Sequence, residues 1–339
     1  MLSEYYATLI AGVAGFTVSY LSTYLVAEFA RRKGLVSEDA HKKTHYMIPS
    51  IGGLGSVIGI VTSLILLIAL VRDPWVTRLS IVCILVVLFG CGVGLIDDVY
   101  RLEGPVKVLL MIVPFIFVIA SKTYVPYMDI PFIGTVRLTI VYPLIVMPLA
   151  FTVSSNAINM MDTLNGLAPI TVLILLFDIM IASIIGVGWL SPWMNALFPI
   201  LFVITLSIIG YLPHNLYPSR VFNGDTGSLA WGALLAYLAI VGKTEVFLVM
   251  AAMPVVTNGF AILASIKGFV EHGKIPVRPT IVDRERNMLR ANPDPKAPIT
   301  LIQLVTLKNT LRENEIVASI TLLLILTSII TILFYIIYM

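Results

Sequence analysis

Residues 79–107 read LSIVCILVVLFGCGVGLIDDVYRLEGPVK, and they decide the fold. From 79 to 96 no side chain is charged; two aspartates then stand side by side at 97 and 98, and a lysine closes the stretch at 107. An uncharged helix of that length, rising about 1.5 Å per residue, reaches across most of a bilayer's hydrocarbon layer. The same pattern recurs outward in both directions. Membrane helices are expected at roughly 5–30, 51–71, 79–96, 106–123, 139–161, 168–186, 194–212, 227–241, 244–266 and 316–338. With 58% hydrophobic residues, 12% charged and a mean hydropathy of +0.98, the chain has lipid as its main solvent. No stretch leaves room for a separate water-soluble domain. The expected fold class is an all-α integral membrane protein, a polytopic bundle of about ten transmembrane helices forming one domain over 1–339.

The first span follows only MLSEYY and runs into Arg31, Arg32 and Lys33 without a small-residue cleavage site, so it is expected to be retained. Cys83 and Cys91 lie eight residues apart on one expected helix, too far to be bridged. The basic residues are distributed unevenly. If the segment after the first span faces the cytoplasm, its side carries 17 of the 22 Lys and Arg, and the other side only Arg72, Arg78, Lys122, Arg137 and Lys243. That asymmetry predicts termini outside and the loops at 31–47, 97–107, 154–167, 213–226 and 267–315 inside. The last of these is the one long hydrophilic excursion. Its stretch PTIVDRERNMLRAN predicts a hairpin around a charged turn, and ITLIQLVTLKNTLREN an amphipathic segment on the membrane surface.

With this topology the polar interruptions of the apolar spans share the cytoplasmic side. They are GLIDDVYRLEGPVK (94–107), SSNAINMMDTLNGLA (154–168), HNLYPSRVFNGDTGS (214–228) and the loop at 267–315. Asp97 and Asp98 either meet water at a helix end or face an ion or partner. Asn156, Asn159 and Asp162 recur every three residues and so share a helical face, with Asn165 and Gly166 following; a single Asn there could equally be a helix C-cap. Carboxylates mixed with amides suit a hard cation such as Mg2+. In FNGDTGS, Asp225 and Ser228 could cap a new helix whose amides face an anion. Lys107 could neutralise phosphate or merely snorkel, and Phe222 could stack on a base or pack at the interface. Asp178, in the middle of the sixth expected span, has no assigned role.

In order and spacing these motifs resemble the polyprenyl-phosphate N-acetylhexosamine 1-phosphate transferases, glycosyltransferase family 4 in the older naming. The family's Asp-Asp pair reads GLIDDVYRLEGPVK here, its Asn-x-x-Asn-x-x-Asp run NAINMMDTLNGLA, and its Gly-Asp block FNGDTGSLAWG. Asn165 in NGL, the run MPVVTNGF at 253–260 and the single helix after the long loop look more like the eukaryotic and archaeal dolichyl-phosphate GlcNAc-1-phosphate transferases. The His-rich motif of the bacterial peptidoglycan enzymes is absent from the last loop, whose one histidine is His272. Two departures stand out. Ile275-Pro276 is followed by Val277 and Arg278 instead of Arg-His-Arg, and Ser50 stands where the family has an acid near the second span.

The resemblance implies transfer of N-acetylglucosamine 1-phosphate from UDP-GlcNAc to dolichyl or another polyprenyl phosphate, with catalytic loops in the cytoplasm. It implies Asn159 and Asp225 as ligands of Mg2+, with Mn2+ as a substitute. Asp97 and Asp98 would border the lipid phosphate, and Lys107 and Arg278 would neutralise phosphates. Asn156, Asp162, Asn165, Phe222 and Gly224 would line the donor, Phe222 stacking on uracil and Asn165 bonding its edge; Lys42, with Lys43, would touch nucleotide or anionic lipid. A phosphate monoester is mostly dianionic at neutral pH, which favours direct in-line attack over a covalent aspartyl-phosphate. The expected partners are a UDP-sugar, the lipid phosphate and membrane lipid; no nucleic acid is expected, and a homodimer is compatible. The protein would sit in the cell membrane of a prokaryote or the endoplasmic reticulum of a eukaryote. The alternatives are a bacterial-type undecaprenyl-phosphate sugar-1-phosphate transferase or, from another class, a lipid-linked sugar transporter or flippase. Transporters hold polar groups near the midplane, whereas here they cluster at helix ends.

Overall fold

The structure is a computed structural model that describes residues 2–39, 47–185, 191, 193–268, 277–283 and 285–338. Lys42, Lys43, His272, Ile275 and Pro276 lie outside the described residues.

The expected apolar stretches appear as helices: α1 (Leu2–Lys33), α2 (Gly53–Val71), α3 (Pro74–Tyr100), α4 (Gly104–Leu110) with α5 (Phe115–Ser121), α6 (Met147–Met161), α7 (Leu167–Ile184), α8 (Met194–Asn215), α9 (Gly224–Gly242), α10 (Glu245–Ala251) with α11 (Met253–Ile266), and α13 (Glu313–Tyr338). A short α12 (Leu301–Val305) precedes α13. Among the described residues nine spans are long and apolar enough to cross a membrane, or ten if α10 and α11 count as one. The protein is thus a multi-pass, all-α membrane protein.

Prolines mark the places where spans depart from straight rods. The stretch expected as one helix at 244–266 is two, α10 and α11, bent by 72°. Pro254 sits in the first turn of α11, where it removes a backbone donor and its ring clashes with the carbonyl four residues earlier. Pro114 stands at the break between α4 and α5, and Pro143 lies in a π-helical turn, Tyr142–Val146, that leads into α6. Sequence chemistry also sets clean ends. Asp73 caps α3 by accepting from the amides of Trp75 and Val76, both at 2.8 Å, with Pro74 in the first turn. Helices α2, α3, α5, α9 and α11 each end on a basic residue in the left-handed region: Arg72, Arg101, Lys122, Lys243 and Lys267, with φ between 54° and 59°. A cation there meets the negative end of the helix dipole.

Helix α9 is the axis of the molecule, buried without interruption from Thr226 to Gly242. It packs on α3 and α6 and also touches α2, α7, α8 and α10. Its glycines and alanines let neighbouring backbones come close, and interhelical hydrogen bonds add specificity: Trp231 Nε1 donates to Ser56 Oγ at 2.9 Å, and Ser154 Oγ to the Gly232 carbonyl at 2.7 Å. Asp178, in mid-span, accepts from Ser328 Oγ at 2.7 Å and thereby joins α7 to α13.

The loops separate into two faces. One carries the hairpin β3 (Tyr127–Ile130) and β4 (Gly134–Arg137), and the end of α13 returns to it, with Phe132 N donating to the Tyr338 hydroxyl at 2.7 Å. The other carries the hairpin β1 (Val36–Glu38) and β2 (Met47–Pro49) and the hairpin β5 (Thr280–Asp283) and β6 (Met288–Ala291), the one expected from PTIVDRERNMLRAN. Cys83 and Cys91 are free and buried.

Candidate functional site

On the β5–β6 face, the ends of α3, α4, α6 and α9 meet. Lys107, in the first turns of α4, reaches across to α3 and α9: its Nζ lies 3.1 Å from Asp97 Oδ2 and pairs with Asp225 Oδ2 as well. Lys107 is therefore no simple snorkelling side chain. Asp97 is held by its own helix end, accepting from Leu102 N at 2.7 Å while Arg101 N bonds its carbonyl.

Asp98 is committed differently from the expectation that it borders lipid phosphate. Its Oδ1 accepts from Asp225 N at 2.9 Å, and its Oδ2 from Thr226 N at 3.0 Å and Thr226 Oγ1 at 2.6 Å. It caps α9 from a neighbouring helix, which frees the Asp225 carboxylate from capping and turns it to Lys107. Close approach makes this fit work. A Cβ at Gly94 would collide with the Asp225 backbone, and one at Gly224, whose φ is +67°, would collide with the Ser50 carbonyl and the Asp98 carboxylate. Gly224 thus serves the packing of the chain on itself as well as any ligand.

The expected face of α6 divides. Asn159 Nδ2 donates to Ser228 Oγ at 2.9 Å, and its amide also faces Asp225. Asp162 Oδ1 accepts from Asn223 Nδ2 at 2.5 Å, and Asn223 Oδ1 in turn accepts from the Tyr211 hydroxyl. Asn156 does not join them: its Nδ2 folds back onto the Thr152 carbonyl at 2.8 Å. Asp162 as a residue is half-buried, but its carboxyl is enclosed. Burial pushes its pKa up to about 8; the charges of Asp225 and Asp98 push the same way, and the Asn223 hydrogen bond opposes them.

Asn165 is buried rather than capping a helix end. Its Oδ1 accepts from Ser219 Oγ at 3.0 Å, its backbone amide donates to Glu313 Oε1 at 2.8 Å, and its Nδ2 is enclosed with no partner among the described residues. Gly166 N donates to Asn215 Oδ1 at 3.0 Å. Phe222 is half-buried, its backbone tied to Pro49 and Gly52 at 2.8 Å each. Arg278 is exposed beside β5, with its carbonyl held by Asn292 Nδ2 at 2.9 Å.

The donor set suits a hard cation in type. Asp97 and Asp225 face one ammonium, Asn159 stands beside Asp225, and Asp98 and Asp162 bring two more carboxyl groups close. One lysine leaves that cluster short of positive charge. No group of three His, Cys, Asp or Glu side chains closes on one point among the described residues. The set therefore fits a divalent ion that keeps water and ligand oxygens in its shell, the habit of Mg2+.

Asn223, Thr226, Ser228, Tyr211, Asn215 and Glu313 were not singled out as site residues from sequence. The first three sit inside FNGDTGS and could have been found there. Tyr211 within an apolar span and Glu313 at the start of the last one carry no signal of their own.

A family model, glycosyl transferase family 4, matches residues 79–243, the stretch from α3 to the end of α9. A protein of Saccharolobus solfataricus, provisionally named a UDP-N-acetylglucosamine–dolichyl-phosphate N-acetylglucosaminephosphotransferase, is 30% identical over 270 residues, covering 79% of this chain and 82% of that one. The chain belongs to glycosyl transferase family 4. Within that family it is also similar to a Bacillus subtilis protein provisionally named an undecaprenyl-phosphate N-acetylglucosaminyl 1-phosphate transferase, 29% identical over 74% of this chain and 68% of the relative. A phospho-N-acetylmuramoyl-pentapeptide-transferase of Nitratiruptor is 26% identical over 78% and 82%. The family-4 match contains Asp97, Asp98, Lys107, Asn159, Asp162 and Asp225, and excludes Arg278 and Glu313. The names of these relatives support a family of polyprenyl-phosphate N-acetylhexosamine-1-phosphate transferases.

Proposed function

We propose that this protein transfers N-acetylglucosamine 1-phosphate from UDP-GlcNAc to dolichyl or a related polyprenyl phosphate, releasing UMP, the opening step of lipid-linked oligosaccharide assembly for N-glycosylation. The observation that carries the reading is the meeting of Lys107 with Asp97 and Asp225, from three separate motifs, at one membrane face. The naming of the Saccharolobus relative supports the donor and acceptor.

The reaction joins two polyanions, so charge repulsion at the reacting phosphorus is the first obstacle. An oxygen of the lipid phosphate attacks the sugar-bearing phosphorus of the donor in line. The P–O bond to the UMP oxygen breaks, and UMP leaves with the electron pair. Asp225 and Asn159, with Asp97 adjacent, would hold Mg2+, which when bound supplies charge neutralisation for the pyrophosphate. Lys107 would shift from its carboxylate partners to phosphate oxygens once that charge is supplied. Asp98 holds the start of α9, and so keeps Asp225 aimed. Arg278, exposed on the long loop, would add a cation from above, Phe222 would stack on the base, and Asn165 would bond its edge.

The deciding experiment is a transfer assay with purified protein, UDP-GlcNAc or UDP-MurNAc-pentapeptide as donor, and dolichyl or undecaprenyl phosphate as acceptor. Higher kcat/KM for UDP-GlcNAc is expected. A preference for the pentapeptide donor would move the protein to the cell-wall branch of the family. The 17-to-5 basic asymmetry supports a cytoplasmic site. Single cysteines replacing exposed Glu285, beside β5–β6, and exposed Ile133, in the β3–β4 turn, should label from opposite sides of the membrane. Labelling of position 285 from outside would reverse the orientation.

A further inference from the structure

Three residues of the segment 162–166 are held by side chains from elsewhere in the chain through four attachments, and three of these attachments are local to the site. Asp162 is held by Asn223, Gly166 N by Asn215, and Asn165 Oδ1 by Ser219. The fourth comes from 148 residues away: Glu313 Oε1 accepts from Asn165 N at 2.8 Å. Glu313 is only 5% exposed, and burying a carboxylate is unfavourable unless it is hydrogen-bonded. Starting α13 does not call for it. The helix start is already served by Glu315, whose Oε2 accepts from Arg312 N at 2.7 Å.

Two residues before Glu313, Leu311 exchanges both backbone hydrogen bonds with Leu289 of β6, at 2.7 and 2.9 Å. The β5–β6 hairpin and Asn165 are therefore joined by two residues of chain and one side chain. At the other end of this linkage, Asn165 Nδ2 is a buried donor with no partner among the described residues, an arrangement that is costly unless a ligand oxygen completes it.

We propose that Glu313 is a positioning residue for the donor nucleotide: by fixing the Asn165 backbone it presents the unfilled Asn165 amide to a pyrimidine carbonyl and ties that contact to the β5–β6 hairpin. The inference rests on the donor being a uridine nucleotide. Glu313 does not touch the reacting atoms, so its loss acts on donor binding and leaves the acceptor and the metal requirement alone.

The test uses the full-length protein and two readouts: UMP binding by calorimetry without acceptor lipid, and steady-state kinetics. Glu313→Ala should raise the UMP Kd and the donor KM together by about tenfold, the size of one hydrogen bond to a charged group. The acceptor KM and Mg2+ dependence should stay as in the parent. Glu313→Gln, which keeps an acceptor oxygen at the same reach, should restore most of the affinity. Glu313→Asp, one methylene short, should not. Should the alanine variant fail to fold, the Gln and Asp pair carries the same test. UMP affinity equal in parent, Ala and Asp variants would overturn the assignment while leaving the donor intact. Absence of UMP binding by the parent would overturn the uridine-donor reading and this inference with it.

Discussion

The two ends of α9 each hold a lysine against carboxylates, and they are built to opposite specifications. At the far end, Lys243 Nζ lies 2.7 Å from Glu245 Oε1, 3.1 Å from the Tyr142 hydroxyl and 3.3 Å from the Val125 carbonyl, with its charge 4.4 Å from the Tyr142 ring centre. The Tyr142 hydroxyl also donates to Glu245. One cation meets one anion, and their side chains are 1% and 10% exposed. At the near end, one ammonium faces Asp97 and Asp225 with two further carboxyl groups close by, and the three side chains of the ion pairs keep 15–23% exposure. Closed, balanced polar networks rigidify a fold. An open cluster with surplus negative charge is left to be completed by something else. The sequence expectation that Lys243 is a loop cation of the outer face understates it: the residue ends α9 inside a buried pair.

The largest effect comes from breaking the near end. Asp225→Ala should lower transfer by about 10³-fold or more and abolish its Mg2+ dependence, since a hard anionic ligand and its charge are lost together. Its melting temperature should change little, because Asp98, not Asp225, caps α9. Activity with an unchanged Mg2+ requirement would remove Asp225 from the metal site.

Breaking the far end should do the reverse. Lys243→Met leaves Glu245 buried without its cation and should reduce stability by about 3–5 kcal/mol. Thermal unfolding in detergent reads this, while the kcat of the protein still folded stays near the parent's. Lys243→Met with Glu245→Gln should recover part of the loss. Lys107→Met lies between the two: about 10² in kcat from lost phosphate neutralisation. Its melting temperature should fall without Mg2+ and recover as Mg2+ is added, because an ion that binds only the folded state stabilises it. No such recovery is expected for Lys243→Met, and finding one would erase the distinction between the ends.

Most of the bundle was legible because lipid imposes a length and a polarity on each span, and residues such as those at 79–96 obey both. The break at 252–254 was not, since Pro254 can start a helix or bend one and only packing decides which. That Asp97, Lys107, Asn159 and Asp225 come together was legible from motif spacing. Which carboxylate caps α9 was hidden: Asp98 and Asp225 lie 127 residues apart, and both look like ligands or caps in one dimension. Asn156 stays out of that meeting because a three-residue period puts a side chain on one face without making it reach across. Glu313 was invisible for a related reason, as a single acid at the head of a span ordinarily meets water.

The smallest effect expected near the site concerns Asp162. Its pKa in the folded chain is raised from 3.8 to about 8 by burial first, then by Asp225 and Asp98. Between those values the folded chain keeps a proton that the unfolded chain has released, so the group's contribution to stability falls as pH rises through that window and levels off above it. Asp162→Asn cannot titrate, matches the neutral acid in shape and still offers Asn223 an acceptor oxygen. Transfer at pH 7 should therefore stay within about threefold of the parent, the scale of one modest hydrogen-bond change. The sharper readout is the melting temperature in metal-free buffer from pH 5 to 9. The variant should gain on the parent steadily up to about pH 8 and no further. Parallel curves would mean that the carboxyl is ionised throughout, and the near-end cluster would then carry one more full negative charge, deepening its contrast with the balanced pair around Lys243.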